Sequence, residues 1–129
     1  MENHPTIVFV CEHGAAKSVV AAAYFNQFAT QKGLGLRAVA RGTNPDNELS
    51  PHAVKGLTED GLRVAESAPQ KLTQIDIQSA QRVVTFCELP AEYLQPAILE
   101  RWDHIPPISE NYEKARDAMI ERIRQMLNR

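Results

Sequence analysis

The segment Thr6-Ile7-Val8-Phe9-Val10-Cys11-Glu12-His13-Gly14-Ala15-Ala16-Lys17-Ser18 constrains this chain more than any other. Its first residues are β-branched or aromatic and read as a strand that ends at Cys11. Small residues and one glycine then make a tight loop, and Lys17-Ser18 opens an alanine-rich run that reads as a helix. A cysteine at the end of such a strand faces converging backbone N–H groups and a helix N-terminus, which together suit a tetrahedral oxyanion.

The remaining segments supply support for that unit. The helix from about Ser18 to Lys32 is apolar over most of its circumference, so it should be buried against a sheet. Gly33 and Gly35 end it, and Leu36 to Ala40 reads as a second strand, parallel to the first. Arg41 to Asn47 is dense in turn formers and reads as a loop. Ser50 is a helix N-cap followed by Pro51, with Val54 and Leu57 as an apolar stripe and Gly61 at the close. A short helical piece is expected in Leu72 to Ala80, a third strand over Arg82 to Cys87, and a short last strand within Ala97 to Ile105. From Ser109 the pattern is an amphipathic helix with Tyr112, Ala115, Met119, Ile123 and Met126 on one face. The expected fold is α/β, with three layers, an open parallel sheet of about four strands and helices on both faces, in one domain over residues 1–129. Cys11 and Cys87 then lie at the carboxyl ends of two strands, the edge where open parallel sheets bind ligands.

Composition excludes several function classes. Charged residues make up 23% of the chain, both signs are scattered, and the formal net charge is -2, so no basic footprint for nucleic acid exists. The apolar run at Ile7 to Val10 is too short for a signal-peptide core or a membrane span, which points to a cytoplasmic protein. In that compartment two cysteines read as free thiols or a catalytic pair. His4, His13, His52 and His104 show no metal-ligand spacing, so neither a metal nor a cofactor is expected.

Cysteine attacks only as its thiolate, which nearby N–H groups, a helix dipole and the Lys17 ammonium would stabilise. The amides of Glu12, His13, Gly14, Ala15, Ala16, Lys17 and Ser18 are candidates to hold three oxygens of a phosphate-like group while Cys11 attacks its central atom. Gly14 fits a loop whose N–H groups must curl around an anion, since it adopts a left-handed conformation at little cost. His13 either helps hold the thiolate or points to solvent. The same residues overlay the nucleotide-binding pattern G-x-x-x-x-G-K-S, but Cys11 and Ala16 stand where its two glycines are needed.

Cys11-Glu12-His13-Gly14-Ala15-Ala16-Lys17-Ser18 resembles the C-x5-R-S loop of low-molecular-weight protein tyrosine phosphatases and of the arsenate reductases of that fold, whose variant is C-x-H-N-x-x-R-S. Ala40-Arg41-Gly42-Thr43 is similar to the family's S-A-G-T, the Ser50 to Gly61 helix to its N-P-containing segment, and Val83 to Cys87 to V-V-T-x-C. The resemblance implies phosphomonoester hydrolysis through a cysteinyl intermediate, or arsenate reduction, on a phosphate, arsenate or phosphotyrosine-type substrate. Its departures imply attenuation, or else an inactive oxyanion-binding module with a regulatory role. Lys17 replaces the loop arginine, and an ammonium cannot reproduce the bidentate grip of a guanidinium. Pro106 stands where the family's general acid is found, leaving Asp103 as the candidate acid, with a helix cap or surface acid as its alternative. Cys87 matches the first relay cysteine of the reductases and the second is Leu94 here, so turnover as a reductase would require an external thiol. Cys87 is then a candidate resolving thiol, or a small buried hydrophobe. Arg41 is a candidate auxiliary cation reaching the loop, or a solvated surface arginine.

Overall fold

The structure, a computed structural model, describes residues 6–64, 66–93 and 98–128. His4, Leu94 and Ala97 lie outside them. The elements run β1 (Thr6–Cys11), α1 (Lys17–Gln31), β2 (Arg37–Gly42), α2 (Pro51–Glu59), α3 (Gln74–Ser79), β3 (Ala80–Thr85), β4 (Leu99–Arg101) and α4 (Tyr112–Leu127). The strands form one parallel sheet in the order β2-β1-β3-β4.

Period-two alternation along the central strand decides the layers. Ile7 and Phe9 face a core shared with α1, α2 and α4, whereas Val8 and Val10 face a smaller one built with Leu72, Ile77, Val83 and Tyr93. Helices therefore cover both faces, with α3 supplying Ile77 to the smaller core. On the larger side Trp102 is almost fully buried, packs against Phe9 and Phe86, and donates its indole N–H to Glu100 at 2.7 Å. Burying aromatic groups of this size stabilises by about 2–3 kcal/mol each, provided the polar edge keeps a partner.

Boundaries differ from expectation where side-chain caps set them. Thr73 and Asp76 form a reciprocal capping box that starts α3 at Gln74. Asn111 accepts from the Lys114 amide and starts α4 at Tyr112, later than Ser109. The third strand ends at Thr85, so Cys87 sits in the turn beyond it. Strand β2 continues through Arg41 to Gly42, because Gly42 pairs with Cys11 across the sheet.

Sheet order places the chemistry. From β1 the chain adds β2 on one side and later β3 on the other, so the carboxyl end of β1 is a topological switch point, where a crevice opens. Cys11 is the last residue of that strand.

Candidate active site

The loop after β1 is held by its carbonyls. Backbone N–H groups of the following segment donate to them: Thr43 to Cys11 at 3.2 Å, Asn44 to Glu12 at 2.7 Å, Asp46 to His13 at 3.0 Å and Ser50 to Ala15 at 2.9 Å. A planar trans peptide points its N–H opposite its C=O. With those four carbonyls turned to the 43–50 segment, the amides of Glu12, His13, Gly14 and Ala16 face the other way. Among the described residues no amide from Glu12 to Ser18 donates to a loop, turn or cap bond. Helix α1 begins beside them at Lys17 with Ala16 as N-cap and no capping side chain, so its first N–H groups also lack a partner.

Gly14 makes this curvature feasible for two reasons. Its φ is +62°, the left-handed region expected of it. It also packs backbone to backbone on Gly42, where a Cβ would lie 2.8 Å from the Gly42 nitrogen. The second requirement was not readable from the sequence, because Gly42 is distant along the chain.

A cavity of about 340 Å³ opens over the loop. It is lined by Cys11, Glu12, His13, Ala15, Ala16 and Lys17 of the loop, by Asp46 and Ser50, and by Phe86, Cys87, Pro107, Ile108 and Ser109. The Cys11 sulfur lies 3.0 Å from the hydroxyl of Ser18, which is fully buried. Lys17 makes no ion pair among the described residues, so its charge is available to the cavity. His13 Nδ1 is 3.2 Å from Asp46 Oδ1, and its Nε2 is 3.8 Å from Glu12 Oε2. Cys87 shares the cavity, and burial together with the charges of Cys11 and Glu12 pushes its thiol pKa up, partly offset by Arg101 and a Thr43 hydrogen bond. Another cavity, of about 380 Å³ between Asn26, Leu34, Arg37 and Arg63, lies toward the opposite end of the sheet and contains no cysteine.

Two candidates from the sequence are placed elsewhere. Arg41 does not supplement Lys17: its guanidinium meets Glu66 at 2.7 Å and Asp76 at 3.1 Å and is absent from the cavity lining. Neighbouring residues on a strand face opposite sides, and two carboxylates from later segments satisfy it there. Asp103 is exposed, lies 3.0 Å from Arg101 Nε and does not line the cavity. His104 beside it has φ +65°, and the chain reaches the cavity only at Pro107 to Ser109. Asp46, Ser50 and Phe86 were not anticipated, although the turn-rich segment after β2 was the signal that a loop would border the strand ends.

Residues 6–125 match the family model of low molecular weight phosphotyrosine protein phosphatase. The chain belongs to that family. Solved structures of similar fold include the low molecular weight protein tyrosine phosphatase from T. tengcongensis, at 18% identity and TM-score 0.85, covering 96% of this chain and 98% of that one. The arsenate reductase of Archaeoglobus fulgidus aligns at 24% identity and TM-score 0.75, covering 95% and 99%. The thioredoxin-dependent arsenate reductase of Corynebacterium glutamicum aligns at 23% and 0.74 over 96% of this chain, which spans 60% of that longer one. Solved proteins with this fold thus include a phosphatase and arsenate reductases. No helix among the described residues is long and apolar enough to cross a membrane, and no three His, Cys, Asp or Glu side chains among them cluster as metal ligands would.

Proposed function

We propose that the chain is a cysteine-dependent oxyanion enzyme that hydrolyses phosphomonoesters through a Cys11 phosphoryl intermediate, at a rate reduced by Lys17. The observation that carries this reading is the set of partnerless amides from Glu12 to Ser18 gathered beside the Cys11 sulfur. Three equatorial oxygens of a transferring phosphoryl group would satisfy those donors, and the uncapped N-terminus of α1 adds its partial positive charge. With Cys11 as thiolate, Ser18 is the hydrogen-bond donor of the 3.0 Å pair. The thiolate attacks phosphorus, the ester oxygen departs, and water then cleaves the cysteinyl phosphate to regenerate the thiolate. Lys17 neutralises charge but supplies no planar fork, so binding and transition-state stabilisation are weaker than an arginine would give.

Cys87 in the same cavity favours a second reading, arsenate reduction. There Cys11 would take up arsenate, and an external thiol would supply the electrons, with Cys87 able to close a disulfide onto Cys11 that the external thiol reopens. A paired assay separates these readings: aryl phosphate hydrolysis, and arsenate reduction with several thiol donors, each with Cys11→Ser as control. Hydrolysis lost in Cys11→Ser supports the first; thiol-dependent arsenite formation supports the second. Turnover in neither, with phosphate still bound, would leave a regulatory oxyanion-binding module.

A further inference from the structure

Hydrolysis of an unactivated ester requires a proton for the departing oxygen, and the segment after Trp102 brings no carboxylate to the cavity. Pro107, Ile108 and Ser109 line it, while Asp103 is paired with Arg101. The carboxylates that do line it are Glu12 and Asp46, and Asp46 lies against a histidine. We propose that His13 donates the proton to the leaving oxygen and that Asp46 is its positioning residue; this rests on the phosphatase reading above.

Residue 46 grips residue 13 at two points. Its amide donates to the His13 carbonyl at 3.0 Å, and its carboxylate lies 3.2 Å from His13 Nδ1. A carboxylate at Nδ1 selects the ring orientation and leaves Nε2 as the nitrogen that exchanges protons with a reactant. Glu12 lies 3.8 Å from Nε2, beyond hydrogen-bond range, so that nitrogen is not consumed. The imidazole is 54% exposed, enough for the attacking water of the second half-reaction to reach it. In the first half-reaction Cys11 thiolate bonds to phosphorus, the phosphorus–oxygen ester bond breaks, and the Nε2 proton passes to the oxygen, releasing a neutral alcohol or phenol. In the second, water attacks phosphorus, the neutral imidazole takes its proton, and the phosphorus–sulfur bond breaks to give phosphate and thiolate. The Glu12 and Asp46 carboxylates lie against this histidine, and the other titratable groups lining the same cavity are the Lys17 ammonium and the Cys11 and Cys87 thiols, with Arg101 acting on Cys87.

The test is kcat/KM of the full chain on aryl phosphates graded from 2,4-dinitrophenyl to phenyl, whose leaving groups need progressively more protonation. His13→Gln should cost about 100- to 1,000-fold on phenyl phosphate and only about threefold on the dinitrophenyl ester, and should remove the alkaline limb of the pH profile on the poor ester. Asp46→Asn should show the same leaving-group trend with smaller losses. Retained turnover of the activated ester in each variant reports a folded, competent loop. Equal losses across the series, no loss, or the same selective loss from Asp103→Asn would overturn the assignment while leaving the phosphatase reading intact. Absence of Cys11-dependent turnover on every ester would overturn both.

Discussion

Two polar clusters in this protein are finished to different degrees. At the junction of α1, α2 and α4, Asp60 accepts from the Tyr24 hydroxyl, the Tyr112 hydroxyl at 2.8 Å and Arg116 at 3.1 Å, so each group is spent on the others. Gly56 allows this, since a Cβ there would lie 2.3 Å from the Tyr112 ring. In the Cys11–Ser18 loop the carbonyls are all but fully engaged, while the amides and the helix N-terminus have no partner among the described residues. Unmade hydrogen bonds cost stability, about 1–3 kcal/mol for each buried donor. The closed cluster contributes to holding the helices together, and the open one leaves its donors unspent, as the proposed oxyanion site requires.

That contrast predicts opposite consequences for mutation. The largest effect is expected from Cys11→Ser, which should lower turnover by at least about 1,000-fold while leaving phosphate affinity within severalfold, since the amides remain. Steady-state kinetics beside phosphate titration by calorimetry checks both halves. Asp60→Ala should destabilise by about 2–3 kcal/mol, because it strands two tyrosine hydroxyls and a guanidinium, and should leave phosphate affinity unchanged. Urea unfolding with and without phosphate measures this, and an affinity loss would mean that the two regions are coupled.

Gly14→Ala should cost about 1–3 kcal/mol through its left-handed φ and the clash with Gly42, and should weaken phosphate binding as well, unlike Asp60→Ala. Lys17→Arg should raise phosphatase turnover by about tenfold, equivalent to about 1.4 kcal/mol, through bidentate contact. Turnover unchanged by the arginine would show that the lysine is not what limits the rate.

The closed cluster should also set the pH limits of stability. Burial pushes the Asp60 carboxyl up, but the hydrogen bonds from Tyr24, Tyr112 and Arg116 outweigh it and hold its pKa below the ordinary 3.8. Its stabilisation is therefore present above 3.8 and is lost as pH falls through the depressed native value. Burial and then Asp60 push the Tyr24 pKa up to about 12, and Tyr112 is raised for the same reasons. The Tyr24 contribution is full below the ordinary value of 10 and declines from there as pH rises toward about 12, while Tyr112 extends the decline further upward. Thermal melts against pH should show a shallower alkaline decline in Tyr24→Phe, the smallest of these effects.

The sheet and the loop were legible because local pattern and tertiary fold agree there. The β-branched and aromatic run Thr6 to Val10 marked the strand, glycine marked the bend, and turn formers marked the loop after β2. The directions of Arg41 and Asp103 stayed open between two readings because the partners that decide them, Glu66, Asp76 and Arg101, could not be assigned from spacing along the chain. Asp46 was passed over for the converse reason. A turn aspartate is ordinarily a local hydrogen-bonding residue, and only the backbone ladder from 43–50 onto 11–15 brings it to His13.

The proposed oxyanion cradle is made of the amides of residues 12–18, which have no partner among the described residues. Titration of the 15N-labelled protein with inorganic phosphate, without magnesium, tests it directly. Saturable shifts of the Glu12 to Ser18 amide resonances are predicted, with those of Tyr24, Asp60, Tyr112 and Arg116 unmoved. Loop resonances that stay fixed while the protein remains folded would contradict it.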